Sequence, residues 1–146
     1  LLYPRGPIHL GTRVHALPED GAVPGADEWR WIHTPGHAPG HVALFRERDR
    51  ALVAGDAFVT TKQESFEAVW AQTSEVHGPP MYFTPDWDAA RDSVRRLAEL
   101  EPELALTGHG RPMRGAQFRA ALEELAGAFD EVARPREGRY RDRPAV

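Results

Sequence analysis

Alternation of apolar and polar positions predicts short strands over 12–17 and 28–33, and the apolar run inside 41–46 reads as another. In 28–33 the period of two places Trp29, Trp31 and His33 on one face and Arg30 and Ile32 on the other. The run 51–56, A-L-V-A-G-D, is short and continuously apolar before its last residue, as a buried strand is. Only the charged stretch 46–50 separates it from the preceding strand, so these two are expected to pair antiparallel. A further short strand is expected over 103–107.

Helical periodicity takes over in three places. Phe66, Val69 and Trp70 predict a helix over 64–72. Trp87, Ala90, Val94 and Leu97 form a second stripe, with Thr84 expected as its cap, Pro85 in the first turn and Pro102 past its end. Phe118, Leu122, Leu125, Phe129 and Val132 predict one long helix over 116–132. The segment 1–11 reads as an entry loop broken by prolines and glycines, and 133–146 as an Arg-rich, loosely held tail. One α/β domain over 1–132 is therefore expected.

Between the second and third predicted strands lies 33–41, H-T-P-G-H-A-P-G-H. Two Pro-Gly pairs force tight turns, so this is a rigid loop displaying imidazoles. Composition narrows its chemistry. The 146 residues include no cysteine, so any metal must be held by His and carboxylate. The net charge of −4 has the wrong sign for general nucleic-acid binding, and no apolar run approaches membrane-spanning length.

Three places share one design: a short strand leading to a candidate ligand beside glycine. These are His37, Asp56 and His109. Two histidines and a carboxylate suit a borderline cation when thiolates are absent. Lys62, six residues beyond Asp56, is a candidate for holding a substrate carboxylate, against the alternative of a plain surface lysine. Tyr82 is read either as lining the pocket or as covering the core.

Taken in order, T-P-G-H with G-H at 34–41, A-G-D at 54–56 and T-G-H-G at 107–110 resemble the metallo-β-lactamase superfamily, which includes glyoxalase II and the lactonases. The resemblance implies an αββα sandwich of two similar halves, with a mixed or antiparallel sheet covered by helices and the site at the seam. It implies that His37 binds a first metal, Asp56 bridges two and acts in catalysis, and His109 binds the second. His41 matches a motif position that is not a ligand, and is read as supporting the ligands from behind or as opening the next strand. The implied cofactors are two divalent ions, zinc foremost, with iron and manganese as alternatives. The implied reaction is hydrolysis of an ester, thioester or lactone by a metal-bound hydroxide.

The superfamily's earlier H-x-H-x-D-H motif is missing, since no two of the seven histidines are two residues apart. With Leu1 rather than Met first, the expectation is a C-terminal half that is inactive alone. Its partners would be a small acyl substrate and either the N-terminal half or a second copy. The alternative is a non-catalytic binding or scaffold module that self-associates through the exposed seam. The expected location is the cytoplasm.

Overall fold

The computed structural model describes residues 9–61, 75–137 and 140, and of Tyr82 the backbone alone. Five strands form one sheet in sequence order: β1 (Arg30–His33), β2 (Val42–Arg46), β3 (Ala51–Gly55), β4 (Leu104–Thr107) and β5 (Met113–Arg114). All neighbours are antiparallel except β3 and β4, which are parallel and joined by a crossover that contains helix α1 (Trp87–Glu99). Helix α2 (Gly115–Gly127) and the short α3 (Phe129–Val132) follow β5. The fold class is α/β with a mixed sheet, as expected from the sequence. The predicted helix over 64–72 lies outside the described residues.

The core forms where one sheet face meets the helices. Ile32, Ala43, Phe45, Leu52, Ala54 and Ala105 are buried on that face, against Trp87, Val94 and Leu97 of α1 and Phe118, Leu122 and Leu125 of α2. The register places Trp31, Leu44, Val53, Leu104 and Leu106 on the other face. There the burial is incomplete, and Leu106 is 40% exposed.

Three local expectations need correction. No strand forms over 12–17: Gly11, at φ +58, opens a 3-10 turn (Gly11–Arg13), and the exposed residues after it find no strand to pair with. The cap of α1 is Asp86 and not Thr84. The Asp86 carboxylate accepts the Ala89 amide at 2.9 Å, whereas the buried Thr84 hydroxyl donates to the Pro80 carbonyl at 2.8 Å. The long helix over 116–132 breaks at Ala128, whose ψ of 26 starts a new turn, so Val132 leaves the apolar stripe and is exposed. Beyond that turn, Ala133 packs against the core and Arg134 pairs with Asp88 and Asp130. The packed body thus runs past residue 132. Finally, β5 has two residues and no sequence pattern of its own.

Candidate metal centre

The sheet brings the three candidate ligands to one rim. Asp56 directly follows β3, His37 lies in the loop between β1 and β2, and His109 follows β4, the parallel neighbour of β3. Asp56 Oδ2 lies 3.5 Å from His37 Nε2, and Oδ1 lies 3.7 Å from His109 Nε2. One carboxylate therefore offers a separate oxygen to each imidazole. Neither distance is a hydrogen bond, and Asp56 Oδ1 and His37 Nδ1 are buried atoms without a partner.

Small residues make this approach possible. A Cβ on Gly108 would fall 2.3 Å from Asp56 Oδ1, so only glycine lets the β4 turn come this near the carboxylate. The Gly108 amide donates to the Gly55 carbonyl at 2.8 Å, tying the ends of β3 and β4 together.

The loop holding His37 is braced at both ends. His33 Nε2 donates to the Pro39 carbonyl at 2.7 Å. The Ser93 hydroxyl donates to the Pro35 carbonyl at 2.7 Å, and Arg96 donates to the His33 carbonyl at 2.9 Å, so α1 grips the loop from below. His41 turns inward. Its Nε2 accepts the Asp56 amide at 3.0 Å, and its Nδ1 meets the Thr34 hydroxyl at 2.8 Å. Burial, and next the neighbouring His37, push the His41 pKa below its ordinary value, so the ring is held neutral.

His109 is fixed by a threonine that sequence reading does not single out. The buried Thr60 hydroxyl lies 2.7 Å from the Arg111 carbonyl and 3.0 Å from Thr107 Oγ1, and the Thr60 amide donates to the His109 carbonyl at 3.1 Å. Gly110, at φ +100, lies so close to Thr60 that a Cβ would meet its Oγ1 at 2.4 Å. Thr60→Val keeps the shape and deletes the hydroxyl. We expect it to lower stability by roughly 1–2 kcal/mol and loosen the His109 turn, with Thr60→Ser restoring both. Denaturant titration and the His109 ring signals in NMR check this. Of the other candidates, Lys62 and the Tyr82 side chain lie outside the described residues.

The donor chemistry fits a pair of cations sharing Asp56. Zn–N and Zn–O bonds of about 2.0–2.2 Å place ligands of one ion roughly 3.0–3.6 Å apart. The 3.5 Å pair falls within that range and the 3.7 Å pair just beyond it. The orphaned Oδ1 supplies the lone pair that a cation would need. Each ion would receive one imidazole and one carboxylate oxygen. Among the described residues no group of three or more such side chains converges on one point.

The chain belongs to the metallo-beta-lactamase superfamily, whose family model matches residues 2–109. It is 55% identical over 131 residues to the probable metallo-hydrolase YflN of Bacillus subtilis, covering 90% of this chain and 50% of that protein. The probable metallo-hydrolase YqjP of the same organism is 28% identical over 102 residues, covering 70% of this chain and 30% of its own length. Among solved structures, a beta-lactamase domain protein from Burkholderia ambifaria superposes with a TM-score of 0.56 at 27% identity. That match covers 84% of this chain and 35% of the Burkholderia chain. The chain thus spans half or less of the length of these relatives. No helix among the described residues is long and apolar enough to cross a membrane.

Proposed function

We propose that this chain supplies the bridging half of a two-metal hydrolase centre, with Asp56 shared between one ion held by His37 and another held by His109. The observation that carries this is the Asp56 carboxylate, which turns one oxygen toward each imidazole without hydrogen-bonding either. When bound, a pair of divalent cations lowers the pKa of water and polarises a carbonyl under attack. The protein's own part is to hold two imidazoles and one carboxylate at fixed separation, on a rim kept open by Gly55 and Gly108. Esters, thioesters and lactones are the substrate class we propose, with zinc the first choice of ion. Further ligands would come from outside these 146 residues, which match 50% of the length of YflN.

The test pairs metal binding with turnover. Zinc should bind the 146-residue chain weakly, and His37→Ala and His109→Ala should each abolish part of that binding. Hydrolysis of an ester, thioester and lactone panel should appear only when a segment bearing H-x-H-x-D-H is supplied. Activity that survives the double substitution would refute the assignment. A second reading is favoured by the half-covered sheet face with Leu106 at its edge. The chain alone is then a module that pairs with a second copy through that face. Light scattering should give a dimer mass, and a strictly monomeric chain would end this reading.

A further inference from the structure

We propose that Thr34 and His41 form a tautomer-locked brace that positions the Asp56 carboxylate by gripping the backbone amide of the same residue. The amide N–H of Asp56 can only donate, so His41 Nε2, 3.0 Å away, must present its lone pair. In a neutral ring the proton then sits on Nδ1, which lies 2.8 Å from Thr34 Oγ1 and donates to it. Thr34 is fully buried, and its own amide donates to the His41 carbonyl at 2.9 Å, so the two residues are clamped by backbone as well as side chain.

The neighbouring glycine is shaped for this contact. Gly55 sits at φ +54, and a Cβ there would lie 2.6 Å from His41 Nε2. Any larger residue would displace the ring from the Asp56 amide. The Gly55 carbonyl is meanwhile taken by the Gly108 amide at 2.8 Å. Both backbone groups flanking the Asp56 Cα on its N-terminal side are thus committed, one to His41 and one to the turn that carries His109. With that peptide plane fixed, only φ, χ1 and χ2 of Asp56 are left to decide where the two carboxylate oxygens lie. His41 is therefore a positioning residue, acting through Asp56 and not on a ligand. Its consequence for metal rests on the two-ion reading above, whereas the hydrogen bonds themselves do not.

The experiment uses the ¹⁵N-labelled 146-residue chain and zinc. In the metal-free chain, long-range ¹H–¹⁵N spectra should show His41 protonated at Nδ1 and bare at Nε2, with a coupling across the hydrogen bond from the Asp56 amide nitrogen to Nε2. His41→Gln places an amide oxygen near the Nε2 position and keeps an acceptor, whereas His41→Asn keeps only a donor toward Thr34. The Asp56 amide and the His37 and His109 ring signals should stay near their original positions in His41→Gln and move in His41→Asn. Zinc affinity should fall tenfold or more in His41→Asn, the range that losing an outer partner of a ligand costs, roughly 10–100-fold, and much less in His41→Gln. Thr34→Val should leave the proton on Nδ1, where the Asp56 amide holds it, but without an acceptor, so that the His41 ring signals move, and Thr34→Ser should restore them. A proton on Nε2, a missing coupling, or equal behaviour of the Gln and Asn variants would overturn the brace. If zinc binds none of these proteins while the spectral signatures hold, the brace stands and the two-ion reading falls.

Discussion

Asp56→Asn is expected to leave the metal-free chain as stable as before, or more so, and to remove nearly all of its zinc-dependent stabilisation. These opposite effects have one origin. In the metal-free chain the carboxylate carries a buried oxygen, Oδ1, with no hydrogen-bond partner, and stands beyond bonding distance of both imidazoles. An unsatisfied buried polar atom costs about 1–3 kcal/mol, and more when it belongs to a charged group. Neutralising it relieves that cost. An amide, however, replaces one of the two oxygens with a nitrogen that cannot ligate, so the sharing of one side chain between two ions is lost. The affinity loss should exceed the roughly 10–100-fold that follows removal of a ligand's outer partner. Thermal unfolding with and without zinc reads both effects from the same samples. Stability that falls in the metal-free variant would show that Asp56 is a structural residue, and the shared-carboxylate reading would fail with it. On the two-ion reading proposed above, the site would follow the general trade between activity and stability, in which a poised charge is a local burden until its ligand arrives.

The elements most legible in the sequence are those whose apolar pattern matches what they pack against. Trp87, Val94 and Leu97 of α1 announce both the element and its buried face. The alternation over 12–17 is just as regular, yet it comes to nothing because no neighbouring strand supplies its hydrogen bonds. Two cap candidates, Thr84 and Asp86, precede the same stripe. Spacing alone cannot rank them, because the choice depends on Pro80, which competes for the Thr84 hydroxyl. The break at Ala128 likewise follows no proline, and its effect on Val132 is visible only in three dimensions.

The candidate site divides in the same way. His37, Asp56 and His109 stand out because each is a residue able to ligate a metal, set beside glycine at a loop or strand end. Thr34 and Thr60 do not, because their roles depend on partners, a ring seven positions on and a carbonyl 51 positions on. The glycines fall between. Their presence is plain in the sequence, but the reason for each is a particular atom: Asp56 Oδ1 for Gly108, His41 Nε2 for Gly55, the α1 backbone for Gly36.

That last glycine supports the second large effect. Gly36→Ala is expected to destabilise the chain by about 3 kcal/mol or more, while Gly40→Ala, four residues on in the same loop, should be nearly neutral. Gly36 has φ +134, a conformation that side-chain-bearing residues rarely adopt, and a Cβ there would lie 2.5 Å from both the nitrogen and Cα of Ala90. These are helix backbone atoms, so no side chain can swing aside to make room. Loop or helix must move. Either shift strains the Ser93 bond to the Pro35 carbonyl and the Asp86 amide bond to the Gly36 carbonyl, at 2.7 and 3.3 Å, which dock the loop on α1. At Gly40 an added Cβ meets nothing within 4 Å and φ is not positive. For a domain near 150 residues, each kcal/mol moves Tm by roughly 2–4 °C or somewhat more, so the two variants should separate by about 10 °C. Because His37 directly follows Gly36, the Ala variant should also lose zinc affinity in whatever fraction remains folded. Equal melting temperatures for the two substitutions would mean that the loop does not rest on α1, and the placement of His37 opposite Asp56 would lose its support.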